Sequence, residues 1–420
     1  MSGEVPRGWR IDRLGSYVEE FKLLDSKGNL PPLSVTKSNG IVFQSDKFNK
    51  RIAISDSRNY KVVNLDEYSY DPMSLYYGAI GRLKICKSGI VSPAYITFRV
   101  KGDLEKDFFD LFVKTPEFIA EVNKVTTGGN QDGKRKKTDW NSFSSLPILI
   151  PPVPEQRRIA EILSSVDEAI AATRAVIAQT RRVKQAVLER LLTKGVGHTR
   201  FKQTEIGEIP EEWEGANLFD VLCEPVRNGY SPISPSLPTG GWLLSLGSLS
   251  DDGLTDQNLK PAPLDDPRII AARLSYGDVV ISRSNTPERV GMAGIYKGKP
   301  DNCYFPDLMI CLRFNEDMMI PDFGALWLGY LQKSGYFKRA ASGTSASMVK
   351  INRALLSQIR IAVPSIGEQK AIVSRASELQ LAIGAANEQM SAMITLKSAL
   401  MSDLLTGRRR VSDPLTLAAE

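Results

Sequence analysis

LPILIPPVPEQRRIAEILSSVDEAI, residues 146–170, passes through a cluster of prolines into an apolar-periodic run, and that run decides the fold. After Pro154, the residues Ile159, Ile162, Leu163, Val166, Ala169, Ile170, Val176, Ile177, Val183, Val187 and Leu191 recur at three- and four-residue steps. That is the signature of one helix face. Written as heptads, Ile159, Val166, Thr173, Thr180 and Val187 take position a, while Ile162, Ala169, Val176 and Val183 take d. A period of about 3.5 residues held over about five heptads marks a coiled-coil seam. The prolines suit a helix start, and Gly195 and Gly197 suit its stop. About 38 residues at about 1.5 Å each make a rod of about 57 Å.

The run is repeated. Residues 148–193 align without a gap to residues 361–406, and 14 of 46 positions are identical, among them Pro151/Pro364, Glu155/Glu368, Gln156/Gln369, Ile159/Ile372 and Lys184/Lys397. Ordinary composition would give about three matches. The second copy keeps Ile372, Leu379, Ala386, Met393 and Leu400 at a, but Arg375, Gln389 and Asp403 fall at d, which shifts its expected stripe toward Ile383, Met390 and Leu404. Two ungapped helices of equal length are expected to pack on each other. A shorter echo lies upstream, where Val5-Pro-Arg-Gly-Trp9 matches Ile209-Pro-Glu-Glu-Trp213. The order is variable body (1–150), shared helix (151–195), linker and variable body (196–363), shared helix (364–410) and a tail (411–420).

The variable bodies read as α/β. Short strand candidates stand at 42–43, 52–54, 90–91, 95–98, 279–281 and 309–312, separated by Gly, Pro and Asn/Asp clusters. Helical stretches follow at matching places, 108–122 and 323–340.

Composition narrows the function. At 420 residues and 42% hydrophobic, each body can bury a core. Four cysteines without a CxxC pair argue against a disulfide framework or a zinc ribbon. The single histidine, His198, sits in a Gly-flanked turn, which argues against a His-dependent hydrolase and His-rich metal sites. The opening MSGEVPRGWR lacks an apolar signal core, so a soluble, cytoplasmic protein is expected. No P-loop, Gly-rich cofactor loop or adenine-methyltransferase motif is present. Asp12 followed by Glu20-Phe21-Lys22 is a faint nuclease-like set, and a solvated strand edge explains it more simply. Net charge is +6, with +5 from residues 1–150 and −2 from residues 196–366. That balance permits a nucleic-acid partner without requiring one.

Loop-like stretches combine donors, small residues and basic side chains. In the first body, Tyr76, Tyr77, Gly81 and Arg82 lie in one, and Lys134, Arg135, Lys136 and Lys137 close the Gly-rich stretch that begins at Thr126. In the second, Arg283, Asn285 and Arg289 follow a strand-like run, and Ser342, Thr344, Ser345 and Lys350 occupy the place that the basic stretch holds in the first. These residues are candidate DNA contacts, the cations for phosphates and the Arg, Asn and Ser side chains for base edges. Ordinary turns are the plainer alternative for each.

Together these features resemble the specificity subunit of type I restriction-modification systems. The resemblance rests on the Pro-x-x-Trp openings, on residues 146–170 and 359–379, and on LLTKGVGHTRFKQTEIGEIPEEW at 191–213. LSYGDVVISRSNTPERVGMAGIY at 274–296 also looks like a target-recognition core. It implies two tandem α/β target-recognition domains, each reading half of a bipartite DNA site, with two long helices forming an antiparallel coiled coil. It also implies docking of two methyltransferase subunits and of motor-nuclease restriction subunits. The implied cofactors belong to those partners: S-adenosylmethionine to the methyltransferase, ATP and magnesium to the restriction subunit. This chain is expected to hold no cofactor or metal and to be non-catalytic. A stand-alone DNA-modifying enzyme and a coiled-coil scaffold without DNA recognition remain the rival readings.

Overall fold

The computed structural model describes residues 5–26, 28–47, 58–129, 134–345 and 348–411. The strand candidate at 52–54 and most of the 411–420 tail lie outside them. The chain forms two compact units, Met1–Arg174 with Gln389–Glu420, and Ala175–Glu388. Each long helix therefore contributes one part to each unit, a division finer than the boundaries drawn from sequence.

The first unit holds a four-stranded antiparallel sheet in the order Val18–Phe21, Ile96–Val100, Tyr68–Tyr70, Ile80–Arg82. Aromatic side chains fill its core. Tyr68, Tyr70, Phe98, Phe108, Phe109, Phe118 and Phe143 are fully buried, with the Phe98 ring 5.2 Å from both Tyr68 and Phe143. The second unit repeats the order with Arg227–Asn228, Met309–Leu312, Val279–Ser282 and Ala293–Ile295. Here alternate residues serve two cores: Val279, Ile281, Ile310 and Leu312 pack into one, Val280 and Cys311 into another. The sheet is buried on both faces, which is why VVIS reads as a continuous apolar run rather than an alternation.

Each expected helical stretch is two helices. Lys106–Phe112 gives way to Pro116–Val125, because Pro116 cannot continue a helix but starts one, with Thr115 capping Phe118 N–H at 3.1 Å. Pro321–Lys333 gives way to Tyr336–Ala340 at Gly335, whose φ of +77° ends the first helix.

The repeated signposts are strand partners. Arg10–Arg13 pairs with Pro147–Ile150, and Glu214–Asn217 pairs with Arg360–Val363, so the strand that follows each Pro-x-x-Trp opening lies against the strand that leads into a long helix.

The long helices run Val153–Lys194 and Ile366–Leu405, the second ending short of residue 410. In the first unit, Ile159 and Leu163 pack with Leu404 and Leu405, while Lys397 donates to Asp167 at 2.6 Å. In the second, Val187 and Leu191 pack with Ile372 and Val373, while Lys184 donates to Gln380. Both contacts are antiparallel, and the 213-residue repeat carries Asp167 onto Gln380 and Lys184 onto Lys397.

The seam expected for the first helix is corrected. Ala169, Val176 and Val183 are exposed, Val176 by 59%, whereas Leu163, Ile170, Ile177 and Leu191 are buried. The d line lies one residue further along, through Leu163, Ile170, Ile177, Lys184 and Leu191. The second helix uses the equivalent line through Ala376, Ile383, Met390, Lys397 and Leu404, the displaced stripe expected for it. No helix among the described residues is long and apolar enough to cross a membrane.

Candidate nucleic-acid interface

Two glutamate–glutamine pairs at the starts of the long helices fasten each unit. Glu155 accepts from the Trp9 indole N–H at 2.9 Å, and Glu368 accepts from Trp213 at 2.8 Å. The next residue does a second job. Gln156 is fully buried; its amide donates to the Asp103 and Pro151 carbonyls and accepts from Glu105 N–H at 2.8 Å. Gln369 likewise donates to Met318 and Pro364 and accepts from Ile320 N–H at 2.9 Å. Glu105 and Ile320 are the cap residues of the helices Lys106–Phe112 and Pro321–Lys333, and neither cap side chain makes a capping bond. The glutamines close those helix starts from a distant part of the chain. Sequence flagged Glu-Gln as repeated but gave no sign of these roles, because every partner is remote.

The segments after the long helices complete the clasps. Arg410 reaches Glu155 with two hydrogen bonds of 2.8 Å and lies over the Trp9 ring. In the second unit, Val196 N–H donates to Glu368 at 2.8 Å, and His198 Nε2 lies 2.9 Å from the same oxygen. Gly195 has φ +62°, and a Cβ there would sit 2.4 Å from Glu368 Oε1, so the turn requires glycine. His198 is a clasp residue.

On this frame the candidate contacts gather at one place per unit. In the first, Thr127–Gly129 and Lys134–Lys137 form a hairpin. Lys136 sits 4.9 Å above the Tyr76 ring, Tyr76 meets Tyr77 edge to face at 5.0 Å, and Thr138 N–H donates to Pro72 at 2.9 Å. The basic hairpin thus lies against the connection between strands Tyr68–Tyr70 and Ile80–Arg82. Tyr77, Lys136 and Lys137 are exposed. Residues 130–133 and the side chains of Lys134 and Arg135 lie outside the described set.

In the second unit, Ser342–Ser345 and Met348–Lys350 form the equivalent hairpin, and Ser284–Asn285 joins it as a third strand, Ser284 opposite Lys350. Two stretches about sixty residues apart in sequence become one surface. Ser342 and Lys350 are exposed, and Arg283 is half-buried with Nη1 donating to the Asp307 carbonyl at 3.2 Å. Arg289 is exposed and reaches the Leu249 carbonyl at 2.8 Å. The side chains of Thr344 and Ser345 lie outside the described set.

Three expected contacts are corrected. Arg82 has only 8% of its side chain exposed and is held by Asp110 at 2.9 Å, Asp66 at 3.3 Å and Asp107, a set that locks its guanidinium to the scaffold. Gly81 serves a backbone crossing rather than a ligand: a Cβ would stand 2.6 Å from Gly40 Cα. Asn285 is buried, donating to Ser282 Oγ at 3.1 Å and accepting from Thr286 N–H at 2.9 Å, so it shapes the turn. The faint nuclease-like set is structural at Asp12, whose carboxylate accepts from the Tyr17 hydroxyl at 3.0 Å and from Arg13 N–H at 2.7 Å. Among the described residues, no three His, Cys, Asp or Glu side chains are spaced to hold a metal ion.

Residues 21–180 match the type I restriction modification DNA specificity domain. The type I restriction enzyme MjaVIII specificity subunit of Methanocaldococcus jannaschii is 27% identical, covering 97% of this chain and 95% of that one. The EcoKI specificity subunit of Escherichia coli is 22% identical over 78% of this chain and 67% of its own length. A chain from a solved structure on complex assembly and conformational transition of the type I R-M system superimposes with a TM-score of 0.59 at 18% identity, covering 96% of this chain and 99% of that one. With its repeated α/β units and paired long helices, the chain is similar along nearly its whole length to the type I restriction enzyme specificity subunits, and residues 21–180 match their DNA specificity domain.

Proposed function

We propose that this chain is the non-catalytic, DNA-reading subunit of a type I restriction-modification complex, each unit presenting its hairpin face to one half of a bipartite duplex site. One observation carries the reading. The same construction, a hairpin seated on the connection between an inner strand and the edge strand beside it, occurs once per unit with different side chains: Lys136, Lys137 and Tyr77 in one, Ser342, Lys350 and Arg283 in the other. A shared frame with unlike faces suits two readers of unlike sequences. The cations supply phosphate contacts that set position, and the polar side chains read base edges.

The long helices supply docking surface for methyltransferase subunits. Val183 and Leu396, related by the repeat, are exposed by 42% and 53%, apolar residues on otherwise solvated helix faces. In this reading S-adenosylmethionine is bound by the methyltransferase, ATP and magnesium by the restriction subunit, and the assembly works in the cytoplasm.

The test is a domain exchange. Replacing residues 1–150 with another specificity subunit's first body, in cells carrying the methyltransferase, should alter one half-site in a genome-wide map of methylated adenines. A hybrid that changes both halves defeats the two-reader model. Tight binding of labelled S-adenosylmethionine by the isolated chain would show that it is itself the methyltransferase.

A further inference from the structure

The strand Arg227–Asn228 leads into residues 229–241, GYSPISPSLPTGG, a stretch with no role in the construction described above. Prolines at 232, 235 and 238 bracket Ile233 and Leu237. Both ends are anchored. Tyr230 donates its backbone N–H to Phe305 at 3.1 Å and its hydroxyl to Asp266 at 3.0 Å, and Thr239 Oγ1 donates to the Ala262 carbonyl at 2.6 Å. Between the anchors Ile233 is 95% exposed and Leu237 75%, Ile233 being the most exposed large apolar side chain among the described residues. Each proline fixes its own φ, so the segment holds these side chains in water on a stiff support.

Two features say what it meets. From Pro225 to Ser250 the only charged residue is Arg227, and the two carboxylates at the foot of the loop are engaged, Asp307 by the Ser231 hydroxyl and Asp266 by Tyr230 and Arg268, so the 26 residues themselves bring no carboxylate toward a polyanion. The foot of the loop is also joined to the hairpin face. Asp307 N–H donates to Ser231 Oγ at 3.2 Å, the Asp307 carbonyl accepts from Arg283 at 3.2 Å, and the Arg283 carbonyl accepts from Ile351 N–H at 2.9 Å. A stable protein interface takes about 20–30 residues per side. Two aliphatic side chains separated by serine and proline fall far short of that, but they match the apolar wedges that open base steps in the minor groove.

We propose that residues 229–241 form such a wedge, with Ile233 inserting at a base step and Leu237 beside it, next to the half-site read by the second unit. This rests on the DNA-reading function proposed above. Pyrimidine–purine steps unstack most easily, so the step should be TA or CA/TG.

The test uses the chain assembled with its methyltransferase subunits, and duplexes that this wild-type complex selects from a random-sequence pool. 2-Aminopurine placed at successive positions should brighten at one step beside one half-site. The double variant Ile233→Ser/Leu237→Ser should abolish that signal and weaken specific binding by about tenfold. Its salt dependence should be unchanged, because no phosphate contact is removed. Ile233→Met, which keeps an apolar prong, should retain the signal. Both variants should melt as wild type, since the side chains removed are exposed. The proposal is overturned if the double variant keeps wild-type affinity and fluorescence, or if it loses assembly with the methyltransferase instead, which would make the loop a protein contact. A wild-type complex that selects no duplex would defeat the DNA-reading function itself, and the wedge with it.

Discussion

Gln369→Leu isolates the part of the repeated Glu-Gln motif that holds a unit together. The wild-type carboxamide is fully buried and makes three hydrogen bonds of 2.9 Å, two to carbonyls and one from Ile320 N–H at the start of the helix Pro321–Lys333. Leucine preserves the volume but leaves two acceptors and one donor without partners. A buried group left unsatisfied costs about 1–3 kcal/mol, so three at the lower end come to about 3 kcal/mol. For a unit of this size, about 2–4 °C of melting temperature accompanies each kcal/mol, giving a fall of about 6–12 °C. Differential scanning calorimetry on the whole chain is the assay, with Gln156→Leu as the matched change in the other unit. Each substitution should lower the transition of its own unit. Gln369→Glu should be worse at neutral pH, where a carboxylate faces two carbonyls, and should recover partly in acid as it regains an O–H donor. A Gln369→Leu chain melting within about 1 °C of wild type would refute the assignment of these bonds as a helix closure.

Burial pushes the Lys184 ammonium below its ordinary value of 10.5, against the pull of Asp252. The folded state therefore disfavours its charge, and the wild type gains stability as pH rises through the lowered value toward 10.5. Lys184→Met should melt higher than wild type at pH 7, with the difference closing toward pH 10.5; a difference constant across that range would contradict the burial cause. Burial also pushes the Cys303 and Cys311 thiols up to about 12, so a maleimide at pH 8 should label exposed Cys223 rapidly and those two only on unfolding, as peptide mass mapping would show. If Lys136 and Lys137 each neutralise a phosphate, replacing both with alanine should flatten the slope of log affinity against log salt by about 1.8. An unchanged slope would remove them from the interface.

The sequence revealed the features that internal symmetry exposes. The 213-residue repeat located both long helices and the strands that precede them, and matching positions in the two bodies located both hairpins. Periodicity alone misplaced the seam of the first helix, because Ala169, Val176 and Val183 are apolar yet face solvent, while half-buried Lys184 looks like a surface residue. The poorer second copy pointed to the correct line, since its polar residues excluded the wrong one. Arg82 was illegible for a different reason. Its partners Asp66, Asp107 and Asp110 lie on two segments brought together only by the sheet and the helix after it. Asn285 likewise looks like a base reader until its short-range hydrogen bonds are seen.

The first unit closes only when residues from both ends of the chain meet. Ile159 and Leu163 wait for Leu404 and Leu405, and Glu155 waits for Arg410, whereas the second unit is a single uninterrupted stretch, Ala175–Glu388. At a synthesis rate of about 5–20 residues per second, the seam at Leu163 stays uncovered for roughly 10–50 s before its partner is made. On the ribosome the unit begun first is therefore finished last. In that interval, neighbouring chains on one messenger expose identical unfilled seams, so exchange of the last helix between two copies is the misassembly this architecture most invites.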